Sequence, residues 1–163
     1  MIIEYNNKYD EDIKDLLLEL QEYIASIDIA GYNIVTKDYR EQAFINTMKE
    51  VQDYEGKIYL YQEDNKIVGL IIGIINNEEK EEVGFQAPKR GRITELIVTS
   101  KIRSKGIGTK LLHAMEDYLH SVGCENILIG VFGYNKSAEA FYKKNGYNIR
   151  MLDMALDEAN LKK

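Results

Sequence analysis

The feature that most constrains this chain is a β-branched apolar run that ends in a cationic, glycine-bearing turn and passes straight into an amphipathic helix. Ile93, Thr94, Ile97, Val98 and Thr99 mark the stretch from Ile93 to Val98 as a strand. After a short polar loop, Arg103-Ser104-Lys105-Gly106-Ile107-Gly108-Thr109 opens a helix. Within that helix Ile107, Leu111, Leu112, Met115, Tyr118 and Leu119 recur at three-to-four spacing, the pattern of one buried face. A helix N-terminus offers unpaired N–H groups and a partial positive charge. Gly106 and Gly108 remove the side chains that would keep a phosphate away from those amides. The turn therefore reads as a diphosphate cradle. It is neither of two common phosphate loops, because the third glycine of G-x-G-x-x-G is missing and no G-x-x-x-x-G-K-[ST] run occurs.

At 163 residues, a single domain over 1–163 is expected, long enough to bury a sizeable core. The 45% apolar and 29% charged content is ordinary for a soluble globular protein. A formal net charge of −6 argues against nucleic acid as a general partner, which would call for a basic face. The same charge suits a cationic substrate such as a polyamine, an amino sugar or a lysine side chain. One cysteine, Cys124, excludes an internal disulfide, and with two histidines no metal site is expected. No signal-peptide pattern and no membrane-length apolar run is visible. The expectation is a cytoplasmic protein with no membrane partner.

Taken in order, Met1 to Tyr5 reads as a short strand, and Tyr9 to Asp12 as an acidic helix start before the stripe Ile13, Leu16, Leu17, Leu20 and Ile24. A break at Gly31-Tyr32-Asn33 precedes a helix from about Lys37 to Gln52, with Phe44, Ile45 and Met48 as candidate buried residues. Lys57 to Glu63 and Lys66 to Ile75, joined by Asp64-Asn65, form a hairpin. The second run is apolar enough to be a central strand covered on both faces. Asn76 to Gly91 is read as a long polar loop around Pro88. Asn126 to Phe132 is a strand, Ser137 to Lys144 a helix closed by Gly146, and Tyr147 to Met154 a final strand. These elements predict an α/β (α+β) fold, with a mixed, mostly antiparallel twisted sheet and helices on both faces.

Two motifs then stand in fixed order. Arg103-x-x-Gly106-x-Gly108 resembles the acetyl-CoA motif [QR]-x-x-G-x-[GA] of the GNAT superfamily of N-acetyltransferases. Asn135-x-x-Ala138-x-x-Phe141-Tyr142-x-x-x-Gly146-Tyr147 resembles that family's N-x-x-A-x-x-[FL]-Y-x-x-x-G-[FY] helix. The motif-bearing part covers about a third of the chain, and the element order fits over nearly all of it. The resemblance implies acetyl-CoA as co-substrate, with the diphosphate on Arg103, Ser104, Lys105, Gly106, Ile107, Gly108 and Thr109. It places the pantetheine arm on the backbone of Ile97 and Val98, where the strand splays from its neighbour. Asn135, Ala138, Phe141 and Tyr142 join the cofactor-binding set. Val98 N–H becomes the donor to the thioester oxygen, and Tyr142 the general acid. A phenol of pKa about 10 is protonated at neutral pH and close enough to a thiol, about 8.5, to pass its proton late in the reaction. The segment Ile27 to Val35 becomes a candidate acceptor wall, and relatives that pair through a late strand suggest a homodimer.

Glu95 is the one ionisable side chain between Ile93 and Val98. It stands either as base or substrate anchor, or as an outward-facing polar residue on a half-solvated strand. Asn135 either touches pantetheine or only caps its helix. His113 and His120 fall beside the apolar stripe and read as surface, and Cys124 as a small buried residue. The activity implied is transfer of an acetyl group to a primary amine of a small molecule or peptide. A non-catalytic acyl-CoA-binding or sensor module is the rival, and a regulatory domain holding another diphosphate is a third reading.

Overall fold

In a computed structural model, the structure describes residues 1–76, 84, 88–102 and 106–156. Most of the polar loop and the cradle residues Arg103, Ser104 and Lys105 lie outside the described residues. The elements run β1 (Ile2–Glu4), α1 (Asp10–Ile27), α2 (Tyr39–Asp53), β2 (Lys57–Glu63), β3 (Lys66–Asn76), β4 (Arg90–Val98), α3 (Ile107–Ser121), β5 (Asn126–Ile129) and α4 (Lys136–Lys144). The described chain divides into two compact units, Met1–Leu20 with Thr36–Gly130, and Gln21–Val35 with Val131–Lys163. No helix among the described residues is long and apolar enough to cross a membrane.

The first unit holds one five-stranded sheet in the order β1-β2-β3-β4-β5, antiparallel except for the β4–β5 pair. Asp64 and Asn65 adopt φ of 49° and 60°, the two left-handed residues of a hairpin turn matched to strand twist. Side chains alternate across β3. Leu70 and Ile72 join Ile13, Leu16 and Leu17 of α1 with Ile58, Leu60 and Ile97 in one core cluster, against which Phe44, Met48 and Val51 of α2 also pack. Gly69 and Gly73 point the other way. A methyl group at Gly73 would fall 2.4 Å from Met115 Sδ, and one at Gly91 2.8 Å from Leu119 Cδ1. The glycines let α3 lie on bare strand backbone. Helices therefore cover both faces of the sheet.

The register carries one irregularity that matters for the site. Glu95 pairs with Ile72 and Ile93 with Gly73, so Thr94 is an extra residue, a β-bulge. Paired residues share a face. Ile93, opposite Gly73, thus faces α3, whereas Glu95, opposite Ile72, faces α1 and α2. The parallel ladder with β5 ends at Ile93 and Ile129, leaving Glu95–Val98 paired through β3 alone among the described strands.

Four readings are corrected. The strand expected from Ile93 begins at Arg90, because Arg90–Ile93 finds β5 as a partner; Arg90 and Gly91 therefore belong to the sheet. The strand expected to reach Phe132 ends at Ile129. Ile45 is 53% exposed, since the packed stripe of α2 runs through Phe44, Met48 and Val51 on another side. Tyr147–Leu156 forms no strand: it has no ladder partner among the described residues, and Met151, Leu152 and Met154 are exposed.

Candidate active site

Two elements of the first unit meet the requirements for a site, the start of α3 and a cavity beside β4. At the start of α3, Gly106 is the N-cap with φ of 71°, a left-handed conformation that disfavours any side chain. It makes no side-chain cap bond, and Lys110 N–H is the first to find a helical acceptor, donating to Gly106 O at 3.1 Å. The amides of Ile107, Gly108 and Thr109 therefore have no intrahelical acceptor. Among the described residues, nothing lies within 4 Å of where a Gly106 Cβ would stand. This geometry fits a diphosphate: open space, aligned donors and the positive end of a 15-residue helix.

The approach to that helix is tied down from α1. Glu19 accepts from Thr99 Oγ1 at 2.9 Å and from Ser100 N–H at 2.7 Å, while Thr99 N–H donates to Val68 O at 3.0 Å. Ile97 is buried in the core cluster, so only its backbone is available to a ligand. Val98 pairs with Gly69 on the α3 side, where Ile107 also packs.

The cavity, of about 560 Å³, lies between α2 and β4. The sequence reading left Glu95 between base and surface residue; the structure turns it into this cavity. Glu50 and Tyr39 of α2 line the same space. The Glu95 carboxyl makes no hydrogen bond or ion pair with any described residue. Burial, and secondarily the negative charge of Glu50, push its pKa up to about 7. Glu50 is also raised by burial, with the Arg92 charge pulling the other way. Tyr39 is raised by burial and by Glu95. A carboxyl held near neutrality beside an open cavity is suited to proton exchange.

The second unit carries the other motif. Asn135 caps α4, its Oδ1 accepting from Ala138 N–H at 3.1 Å, Ser137 Oγ at 3.0 Å and Tyr23 OH at 3.3 Å. Capping thus occupies the Asn135 oxygen. Phe141 and Tyr142 are half-buried. Tyr142 stacks edge-on with Phe141 at 5.2 Å and with Tyr147 at 5.8 Å, which fixes its ring. Gly146, at φ 91°, closes the helix. Asp28 organises the segment proposed as acceptor wall, accepting from Ala30 N–H and Asn33 N–H; Ile29, Tyr32 and Ile34 there are exposed.

His113 and His120 are exposed and Cys124 is buried. Tyr39, Glu50, Gln42 and Asn46 escaped the sequence reading as site residues. Their signal was a polar set at three-to-four spacing beside the apolar stripe of α2.

The profile of the acetyltransferase (GNAT) family matches residues 19–147. A glucosamine 6-phosphate N-acetyltransferase of Arabidopsis thaliana is 22% identical over 129 residues, 79% of this chain and 85% of that one. Among solved structures, a tetramutant of the BH1408 protein of Bacillus halodurans superposes with a TM-score of 0.80 at 20% identity, covering 96% of this chain and 99% of that one. AAC(6')-Iy in complex with the bisubstrate analogue CoA-S-monomethyl-acetylneamine gives 0.69 at 13%, covering 97% of each chain. With a strand bulged before Glu95, a glycine-capped α3 and this match over most of its length, the chain belongs to the acetyltransferase (GNAT) family.

Proposed function

We propose that the protein is an acetyl-CoA-dependent N-acetyltransferase acting on a primary amine. The observation that carries the reading is within one unit: β4 turns Glu95 into the cavity, and the same strand leads into the glycine-capped start of α3. Acetyl-CoA supplies the activated acyl group. The amides of Ile107, Gly108 and Thr109 hold its diphosphate, with Arg103, Ser104 and Lys105 of the motif alongside. The backbone of Ile97 and Val98, the latter as donor to the acyl oxygen, orients the arm, and Asn135, Ala138 and Phe141 complete the binding set. Glu95 takes a proton from the amine, directly or through water. As the amine nitrogen bonds the acyl carbon and the C–S bond breaks, Tyr142 gives a proton to the leaving sulfur and recovers one from solvent. The products are an amide and a free thiol, and the protons balance. The role of Tyr142 rests on its motif position. A homodimer is supported by exposed Ile149, Met151, Leu152 and Met154, and a monomer mass in light scattering at micromolar concentration would overturn it.

The test is thiol release from acetyl-CoA across a panel of amines, with calorimetry of acetyl-CoA binding. Gly108→Asp is expected to weaken that binding strongly in a folded protein, and Tyr142→Phe to lower kcat about ten- to a thousandfold with affinity little changed. Tight acetyl-CoA binding with no turnover of any amine would favour the non-catalytic module. Unchanged affinity in folded Gly108→Asp would remove the cradle assignment.

A further inference from the structure

The residues of α2 that line the cavity, Tyr39, Gln42, Ala43, Asn46, Thr47 and Glu50, follow one another at helical spacing. The cavity is therefore a groove along that helix. From Tyr39 to Glu50 it extends roughly 17 Å at 1.5 Å per residue. Carboxylates mark its course: Asp38 at the exposed end, Glu50 at the other, and Glu95 entering from the strand. None of the ten described lining residues is Lys or Arg. Gln42, Asn46, Thr36 and Thr47 add hydrogen-bonding groups between the charges, and Leu17 and Ala43 give an apolar floor. A helix packed on a sheet ordinarily turns an apolar face inward. Beside the Phe44, Met48 and Val51 stripe that packs on the core, α2 turns Gln42, Asn46 and Glu50 toward this groove, and neither the Glu50 nor the Glu95 carboxyl bonds any described residue.

Resting on the acetyl-transfer reading, we infer that the acceptor is a linear polyamine lying extended along α2, its reacting nitrogen at Glu95 and a second cationic nitrogen at Glu50. The methylene segments fit the Leu17 and Ala43 floor, and the N–H groups between them meet the side-chain oxygens of Gln42, Asn46 and Thr47. Two nearby carboxyls, both raised by burial, gain most from a ligand that brings two positive charges. A monoamine at Glu95 leaves Glu50 with only the Arg92 charge, which does not outweigh the burial of its carboxyl. A phosphorylated amino sugar, the acceptor named for the Arabidopsis relative, would bring a dianion into a groove whose described lining carries three carboxyls and no Lys or Arg, with Arg92 acting on Glu50 from outside that lining.

The experiment compares n-butylamine, 1,4-diaminobutane, spermidine and glucosamine 6-phosphate in the thiol-release assay, with calorimetry of spermidine on the same full-length chain. Expected is a rise in kcat/KM of at least tenfold from n-butylamine to spermidine, with glucosamine 6-phosphate the poorest. Glu50→Gln should raise KM for spermidine about tenfold, more than for n-butylamine, with kcat within a few-fold. Asp38→Asn, at the exposed end, is a second variant with a smaller effect in the same direction, and thermal midpoints establish that both are folded. Equal use of n-butylamine and spermidine, or an equal KM change for both in Glu50→Gln, overturns the inference while leaving acetyl transfer standing. No turnover with any amine would sink acetyl transfer instead. Calorimetry then decides the inference, which fails if spermidine does not bind or binds Glu50→Gln equally well.

Discussion

The two faces of the central sheet are built for opposite purposes, and α3 and α2 show how. On the α3 side Leu111, Leu112, Met115 and Leu119 are fully buried, laid onto strand backbone that Gly69, Gly73 and Gly91 leave bare. On the other side α2 has no fully buried residue and stands over a groove of amides and carboxyls. Both helices have 15 residues and both lie against β3. What differs is the use of their inward faces: α3 turns hydrophobic area into stability and holds the glycine-capped end in place, while α2 divides its inward side between the Phe44, Met48 and Val51 packing and the polar lining of the groove. Stability and catalysis should therefore fail separately when the two sides are altered.

The strongest test is on the groove side. Glu95→Gln keeps the shape and removes the base, so kcat/KM should fall by about 10²- to 10⁴-fold. In the unaltered protein kcat/KM should rise with pH through about 7, where the Glu95 carboxyl ionises, and the variant should lose that limb. If KM rises with kcat unchanged, Glu95 is an anchor; if neither constant nor the profile moves, the groove is not catalytic. Next in size, Leu111→Ala on the sealed side should cost about 2–5 kcal/mol in chemical denaturation. A cost below 1 kcal/mol would mean that this face is not as closely packed as its burial implies.

A third measurement joins the two sides through pH. The Glu95 pKa in the folded protein, about 7, lies above its ordinary value of 4.5, so the fold favours the neutral acid. Its contribution to stability is fully present below about pH 4.5 and is lost as pH rises through 7. Glu95→Gln should thus be the more stable protein at pH 8, by on the order of 2 kcal/mol, with the difference vanishing at pH 4. Equal thermal midpoints at both pH values would show that the carboxyl is better solvated than its place in the cavity indicates. The smallest effect belongs to Asn46→Ala, expected within about 0.5 kcal/mol because it removes no packed apolar group. Were it to cost as much as Leu111→Ala, the contrast between the faces would collapse.

How far this was legible in the sequence differs between the same two faces. The α3 stripe could be read directly, because Ile107, Leu111, Leu112, Met115 and Leu119 repeat at one period and serve one purpose. The hairpin at Asp64-Asn65 and the glycine turn at Gly106 were equally plain, each being a backbone conformation that few residues accept. On α2 the reading chose Phe44 and Met48, which pack against the core, and Ile45, which is exposed; it passed over Tyr39 and Glu50, since a polar inward face imitates a solvated one. Glu95 was visible as a charge on a strand but not its direction. Counting by twos from Ile93 sends it toward α3, and the extra residue at Thr94 reverses that. Ladder partners are long-range facts, which is also why the run after Tyr147 looked like a strand and pairs with none among the described residues.

The bulge at Thr94 has a meaning for how such a chain can change over generations. In a regular strand all odd positions belong to one face, so a replacement series that improves packing must steer around every residue kept for catalysis. Here Gly91 and Ile93 serve the α3 packing, while Glu95 and Ile97, of the same parity, serve the opposite side. Thr94 is a seam between two half-strands with separate duties. A replacement on the Glu95 side of this seam therefore leaves Gly91 and Ile93, and the α3 packing they serve, unaltered.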